Sequence, residues 1–150
     1  MGESSPEGVS SFGRSGMRTA LSALVTDYGG VLDDHGTEQP GARAPLLVRL
    51  GELRERGVAT ALLSNGNSVP PEVADAGVLD VMVLSAEVGT SKPDPAIYHL
   101  TAEFLGVSPR NCVFVDDVAR NVSAAVRTGM VGVLHRDVAS TLDELAVLFE

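Results

Sequence analysis

Short runs of consecutive apolar residues recur along the chain, separated by amphipathic or alanine-rich stretches. Leu21–Thr26, Val58–Leu63, Val81–Leu84, Asn111–Val115 and Val131–Leu134 each read as a buried strand. These runs are apolar throughout, as a sheet covered on both faces requires. Between them, Ala44–Arg56 places Leu46, Leu47, Leu50 and Leu53 on one helical face, with Gly57 just past the end. Pro71–Ala76 reads as a short helix, and Asp94 caps a helix running from Pro95 to about Leu105. Asn121–Thr128 is a further helix closed by Gly129, and Ser140 is expected to cap a last one through Leu148. Leu142, Leu145, Leu148 and Phe149 give that last helix an apolar stripe, expected to face the core. Strands alternating with helices predict βαβ units, hence an α/β fold with a parallel sheet and helices on both faces.

Length and composition narrow this picture. The chain has 150 residues, the size of one domain, and 44% of them are apolar. No run approaches the ~20 apolar residues of a spanning helix. With aromatics at 4% and no Trp, the core must be mostly Val, Leu and Ala. The formal net charge of −9 makes nucleic acid and anionic membranes poor partners. Cys112 is the single cysteine, inside an apolar run, and reads as a buried small hydrophobe in a reducing, cytoplasmic setting. Met1–Gly16 is Gly/Ser-rich and has no secretory h-region. Residues 1–18 are therefore expected to be a disordered leader, or sequence upstream of a start at Met17, ahead of a core domain over 19–150.

Polar residues follow directly on three of the strands: Asp27, Ser64-Asn65 and Asp116-Asp117. In an open parallel sheet, ligands bind outside the carboxyl ends of the strands, so these groups should converge. Helix capping would account for one such residue, but it accounts poorly for all of them together with Lys92. A strand-end carboxylate such as Asp27 can attack phosphorus with one oxygen and hold a metal with the other. Gly29 and Gly30 let the backbone turn tightly, offering the metal a carbonyl and a phosphoryl oxygen an amide. Ser64 and the Asn65 amide can donate to phosphoryl oxygens, and the Lys92 ammonium can neutralise both phosphate and nucleophile. Asp116 and Asp117 place two carboxylates side by side, an arrangement a hard cation such as Mg²⁺ would relieve.

In this order the motifs resemble the haloacid dehalogenase (HAD) superfamily. Asp27-Tyr28-Gly29-Gly30-Val31-Leu32 is similar to its first motif, and Leu63-Ser64-Asn65 to its second. Lys92-Pro93-Asp94-Pro95 is similar to the third, and Val113-Phe114-Val115-Asp116-Asp117 with Asn121 to the fourth. The resemblance implies a Rossmann-like doubly wound sheet and Mg²⁺ held by Asp27, the Gly29 carbonyl, Asp116 and Asp117. It also implies phosphoryl transfer through an aspartyl-phosphate on Asp27, assisted by Lys92, with Gly30, Ser64 and Asn65 on the phosphate.

Two features depart from that pattern. Gly29 stands where phosphatases of the family carry an acid/base Asp, so metal binding is expected to survive better than turnover. The stretch between the first two motifs is too short for a cap domain, leaving an open site. Such a site suits a large substrate, such as a phosphoprotein or a bulky phosphoester, or a homo-oligomer whose neighbour supplies the lid; the partner expected is a phosphorylated substrate, small molecule or macromolecule. Three readings follow: a Mg²⁺-dependent phosphohydrolase or phosphotransferase, a weakly active or inactive phosphate- or protein-binding module, and a 2-haloacid dehalogenase. A receiver domain does not fit, because its acidic pair follows the first strand. Asp33, Asp34 and His35 are expected to form a polar surface turn, and His99 and His135 to be surface histidines.

Overall fold

The computed structural model describes residues 20–39 and 41–150; the leader expected over 1–18 lies outside the described residues. Five strands form one sheet: β1 (Ala23–Thr26), β2 (Ala59–Ser64), β3 (Val81–Leu84), β4 (Cys112–Asp116) and β5 (Val131–Leu134). All neighbours pair in parallel, in the order β3-β2-β1-β4-β5. The chain lays down β1 to β3 in one direction, then crosses back to add β4 and β5 on the other side of β1.

Among the described residues there are six α-helices: α1 (Pro45–Glu55), α2 (Pro71–Ala74), α3 (Ser85–Val88), α4 (Pro95–Leu105), α5 (Ala119–Arg127) and α6 (Val138–Leu148). Side chains alternate along each strand, so β1 to β4 each feed two cores, while β5 gives Val131 and Val133 to the first. Leu24, Leu62, Val113 and Val133 pack with Leu46, Leu50 and Leu53 of α1 and Leu145 of α6. Ala23, Val25, Leu63 and Phe114 pack on the opposite face with Ile97, Tyr98 and Ala102 of α4 and Ala124 and Ala125 of α5. This sandwich is why the strands read as unbroken apolar runs. Leu142 and Leu148 pack against the first core, so the stripe of α6 is core, as expected.

Most bounds fall within two residues of the expected ones, and three differences have local causes. The last helix is capped by Asp137: Ser140 donates its backbone N–H to Asp137 Oδ1 at 2.8 Å and its hydroxyl to Oδ2 at 3.0 Å. Two cap-competent residues lie three apart there, and the earlier one takes the capping position. The helix after β4 begins at Ala119, ahead of the expected Asn121. The one-turn helix α3 was not expected; Gly89 closes it at φ 79°. By contrast, Asp94 caps α4 as read, accepting from the Ala96 N–H at 2.9 Å. Cys112 is fully buried, and burial pushes its thiol up to about 11. Between β1 and β2 lie only a turn, a loop and α1, so no cap domain stands there among the described residues. No described helix is long and apolar enough to cross a membrane.

Candidate active site

β1 and β4 lie side by side at the point where strand order reverses, and their carboxyl ends bring Asp27 and Asp116-Asp117 together. One oxygen from each of the three carboxylates falls within 4.8 Å of the others. The Asp27 N–H donates to the Val115 carbonyl at 3.0 Å, so the ladder itself sets this register.

Lys92 is buried between two of the carboxylates. Its Nζ lies 3.0 Å from Asp27 Oδ1 and 2.8 Å from Asp116 Oδ2, with only 2% of the side chain exposed. A buried ammonium needs such partners, since each unpaired buried ion costs several kcal/mol. The loop carrying Lys92 is pinned by Asn65. Asn65 Nδ2 donates to the Lys92 carbonyl at 3.0 Å, and the Lys92 N–H donates to Asn65 Oδ1 at 2.9 Å. The Asn65 side chain thus acts on the lysine loop, which leaves its backbone N–H for any contact with phosphate.

Asp116 is held from behind. Its Oδ1 accepts from the Val118 N–H at 2.9 Å and its Oδ2 from Asn121 Nδ2 at 3.2 Å. Tyr98 in turn donates its hydroxyl to the Asn121 carbonyl at 2.8 Å and meets Phe114 edge to face at 5.4 Å. Burial raises Asp27 above the usual carboxylate range, against the opposing pull of Lys92. Asp117 is also raised, first by desolvation and then by its neighbour Asp116. Three carboxylates against one lysine leave a net charge of −2 in oxygen ligands. That donor set suits a hard divalent cation such as Mg²⁺.

The glycines after Asp27 divide their work. Gly30 adopts φ 80°, and a Cβ on it would collide with the Asp117 carboxylate. Gly29 adopts φ −66°, and a Cβ there would meet nothing within 4 Å. The position of the missing acid is therefore open space. The Gly30 N–H is already engaged, donating to Asp33 Oδ1 at 2.7 Å, so a phosphoryl oxygen would have to displace Asp33. Ser64 ends β2 half-buried at the same edge of the sheet.

One expectation is corrected. His99 is exposed, but His135 is not a surface histidine: it is 5% exposed. Its Nδ1 lies 2.7 Å from Thr141 Oγ1 and its Nε2 lies 2.8 Å from Asp34 Oδ2. Its own N–H donates to the Asp116 carbonyl at 2.9 Å. Asp34 is thereby drawn out of the expected surface turn and ties the loop after β1 to α6. His35 remains exposed.

The fold and this cluster define an α/β protein with an acidic, lysine-bridged site at the switch point of its sheet. The haloacid dehalogenase-like hydrolase family matches residues 16–129, and the chain belongs to that family. It is similar to Phosphatase MT3486 of Mycobacterium tuberculosis, 38% identical over 87 residues, 54% of this chain and 40% of the relative. The chain spans less than half the length of the curated relatives compared, 9–43% of each. Among solved structures, an uncharacterized protein from Corynebacterium glutamicum is 32% identical with TM-score 0.77, covering 87% of this chain and 96% of that one. An alanine mutant of a HAD family enzyme from Bacteroides thetaiotaomicron, in complex with magnesium and inorganic phosphate, is 25% identical with TM-score 0.53. That match covers 61% of this chain and 52% of the other.

Proposed function

We propose that this hydrolase is a Mg²⁺-dependent phosphatase that works through an aspartyl-phosphate on Asp27. The observation that carries this reading is Lys92 buried between Asp27 and Asp116 at the switch point of the sheet. The relative named as a phosphatase, and the neighbour in complex with magnesium and phosphate, support it.

In this reading an Asp27 carboxylate oxygen attacks phosphorus and forms a P–O bond. The bond to the leaving-group oxygen breaks, and that oxygen keeps the electron pair and takes a proton. Water then attacks the same phosphorus, releasing inorganic phosphate and restoring the Asp27 carboxylate. Lys92 orients Asp27 and offsets phosphoryl charge, and Ser64 donates to a phosphoryl oxygen. Asn65 holds the Lys92 loop in register. Asp27, the Gly29 carbonyl, Asp116 and Asp117 would hold Mg²⁺, which supplies charge neutralisation on the phosphoryl oxygens. Without a side chain at Gly29, solvent must protonate the leaving group.

That last point favours a second reading, a weakly active member whose role is to bind a phosphorylated partner. A phosphoester panel with and without Mg²⁺ separates the two. The phosphatase reading requires turnover that needs Mg²⁺ and disappears in Asp27→Asn. Wild-type silence combined with activity in Gly29→Asp would show an intact scaffold silenced by the missing acid and would favour the binding role.

A further inference from the structure

A groove of about 440 Å³ opens beside the nucleophile, between the loop that follows β1 and helix α2. Tyr28, the residue after Asp27, forms part of its wall, and Leu47 and Val73 lie along its apolar side. Asp33 belongs to the same wall and holds the Gly30 N–H at 2.7 Å. Gly30 in turn abuts Asp117. The groove thus adjoins the carboxylate cluster, sharing Tyr28 and Asp33 with the turn that follows Asp27.

Its charge is uneven. Asp33, Glu72 and Asp75 contribute three carboxylates to the lining, against one guanidinium from Arg43. A second phosphate or a carboxylate on the substrate would meet net repulsion there. A ring would find an aromatic face and aliphatic side chains, and an amine would find carboxylates.

We propose that this groove binds the leaving group of the substrate, and that the substrate is a phosphomonoester of a ring-bearing alcohol that is uncharged or carries an amine. The proposal rests on the phosphatase reading for the seat of the phosphoryl group, and it extends that reading from the phosphoryl group to the alcohol. Tyr28 is the contact between the two parts, since its backbone continues from Asp27 while its side chain lines the groove.

Binding of two non-hydrolysable probes, benzylphosphonate and methylphosphonate, tests this by calorimetry in the presence of Mg²⁺. The methyl group has no ring to bury in the groove. Benzylphosphonate should bind about tenfold or more tightly than methylphosphonate, reflecting burial of the ring. Ala42→Trp, which fills the groove from the loop side, should reduce benzylphosphonate to the affinity of methylphosphonate. Ala76→Phe, which fills it from the α2 side, provides an independent check if the first variant folds poorly. Replacing both Glu72 and Asp75 with Lys should reverse the preference between benzylphosphonate and its 4-carboxy derivative, with the latter gaining about threefold or more. Equal binding of the two probes by wild type, or a ring preference that survives both filling variants, would overturn the proposal. Hydrolysis of phenyl phosphate in the same preparations reads the chemistry separately. Ring-selective binding without Mg²⁺- and Asp27-dependent turnover would refute the phosphatase reading and keep the groove. Turnover without ring preference would do the opposite.

Discussion

Position 29 has an extended backbone (φ −66°, ψ 126°) that any residue adopts and empty space where a Cβ would go, so an aspartate there costs little backbone strain. It would stand two residues beyond the nucleophile and could protonate the leaving group. Gly29→Asp should therefore raise kcat on an unactivated phosphomonoester by roughly 10²–10⁴-fold, the usual worth of general acid–base help. Steady-state rates decide this, and an unchanged rate in a folded variant would count against proton transfer as the missing element. Position 30 behaves in the opposite way. Gly30→Ala places a β-carbon at φ 80° against the Asp117 carboxylate. Left-handed strain alone costs about 1–2 kcal/mol, and Asp117 must also move. A lower melting temperature together with weaker Mg²⁺ binding is expected; loss of neither would show that the loop relaxes freely.

Asp27, Lys92 and the Asp116-Asp117 pair were legible in the sequence because each sits at a chain position, a strand end or a Pro-rich turn, that the apolar runs mark. Partners contributed by distant elements were not. His135 and Asp34 are separated by 101 residues, and no local pattern distinguishes a buried histidine from an exposed one. Similarly, the Asp33 contact to the Gly30 N–H depends on how the turn coils, which the glycines permit but do not dictate. At the level of elements, the His135 contacts fasten the loop after β1 to α6. His135→Phe keeps the volume but leaves Thr141 and Asp34 without their partner. It should cost roughly 1–3 kcal/mol by urea denaturation, and a loss of only a few tenths would mean that water replaces the ring nitrogens. The β2–β3 connection has a comparable clasp. Asp80 Oδ2 accepts from the Thr60 N–H at 2.9 Å and Oδ1 from Arg54 Nε at 2.9 Å. Desolvation pushes the Asp80 carboxyl up, but these hydrogen bonds outweigh it and hold it below its ordinary value. A carboxyl lowered in the folded state adds stability above its unfolded pKa and loses it as pH falls through the folded one. Because Asp80 is largely exposed, solvent screening limits Asp80→Asn to about 0.5–1 kcal/mol at neutral pH. The difference from wild type should vanish in acid, below the lowered carboxyl value. A gap that persists there would assign the effect to packing.

For the molecule as a whole, the apolar runs specified the parallel sheet and its two cores, and the short span between the first two strands specified the missing cap. The cluster itself carries a cost that the fold must meet. Three carboxylates converge on one ammonium, so the folded protein holds unbalanced negative charge that the unfolded chain disperses. A cation that binds this arrangement and not the unfolded chain stabilises the fold by mass action, about 2.7 kcal/mol at a hundredfold excess over its Kd. For a chain of 150 residues that corresponds to a rise of roughly 5–10 °C in Tm. Thermal melts in millimolar Mg²⁺ and in chelator should differ by that order. Asp117→Asn removes one ligand, exposed enough to be replaced without disturbing either core, and should shrink the shift. The chelated variant should melt no lower than chelated wild type, because the substitution also relieves repulsion with Asp116. Identical wild-type melts with and without Mg²⁺ would mean that the cluster does not bind the ion at that concentration.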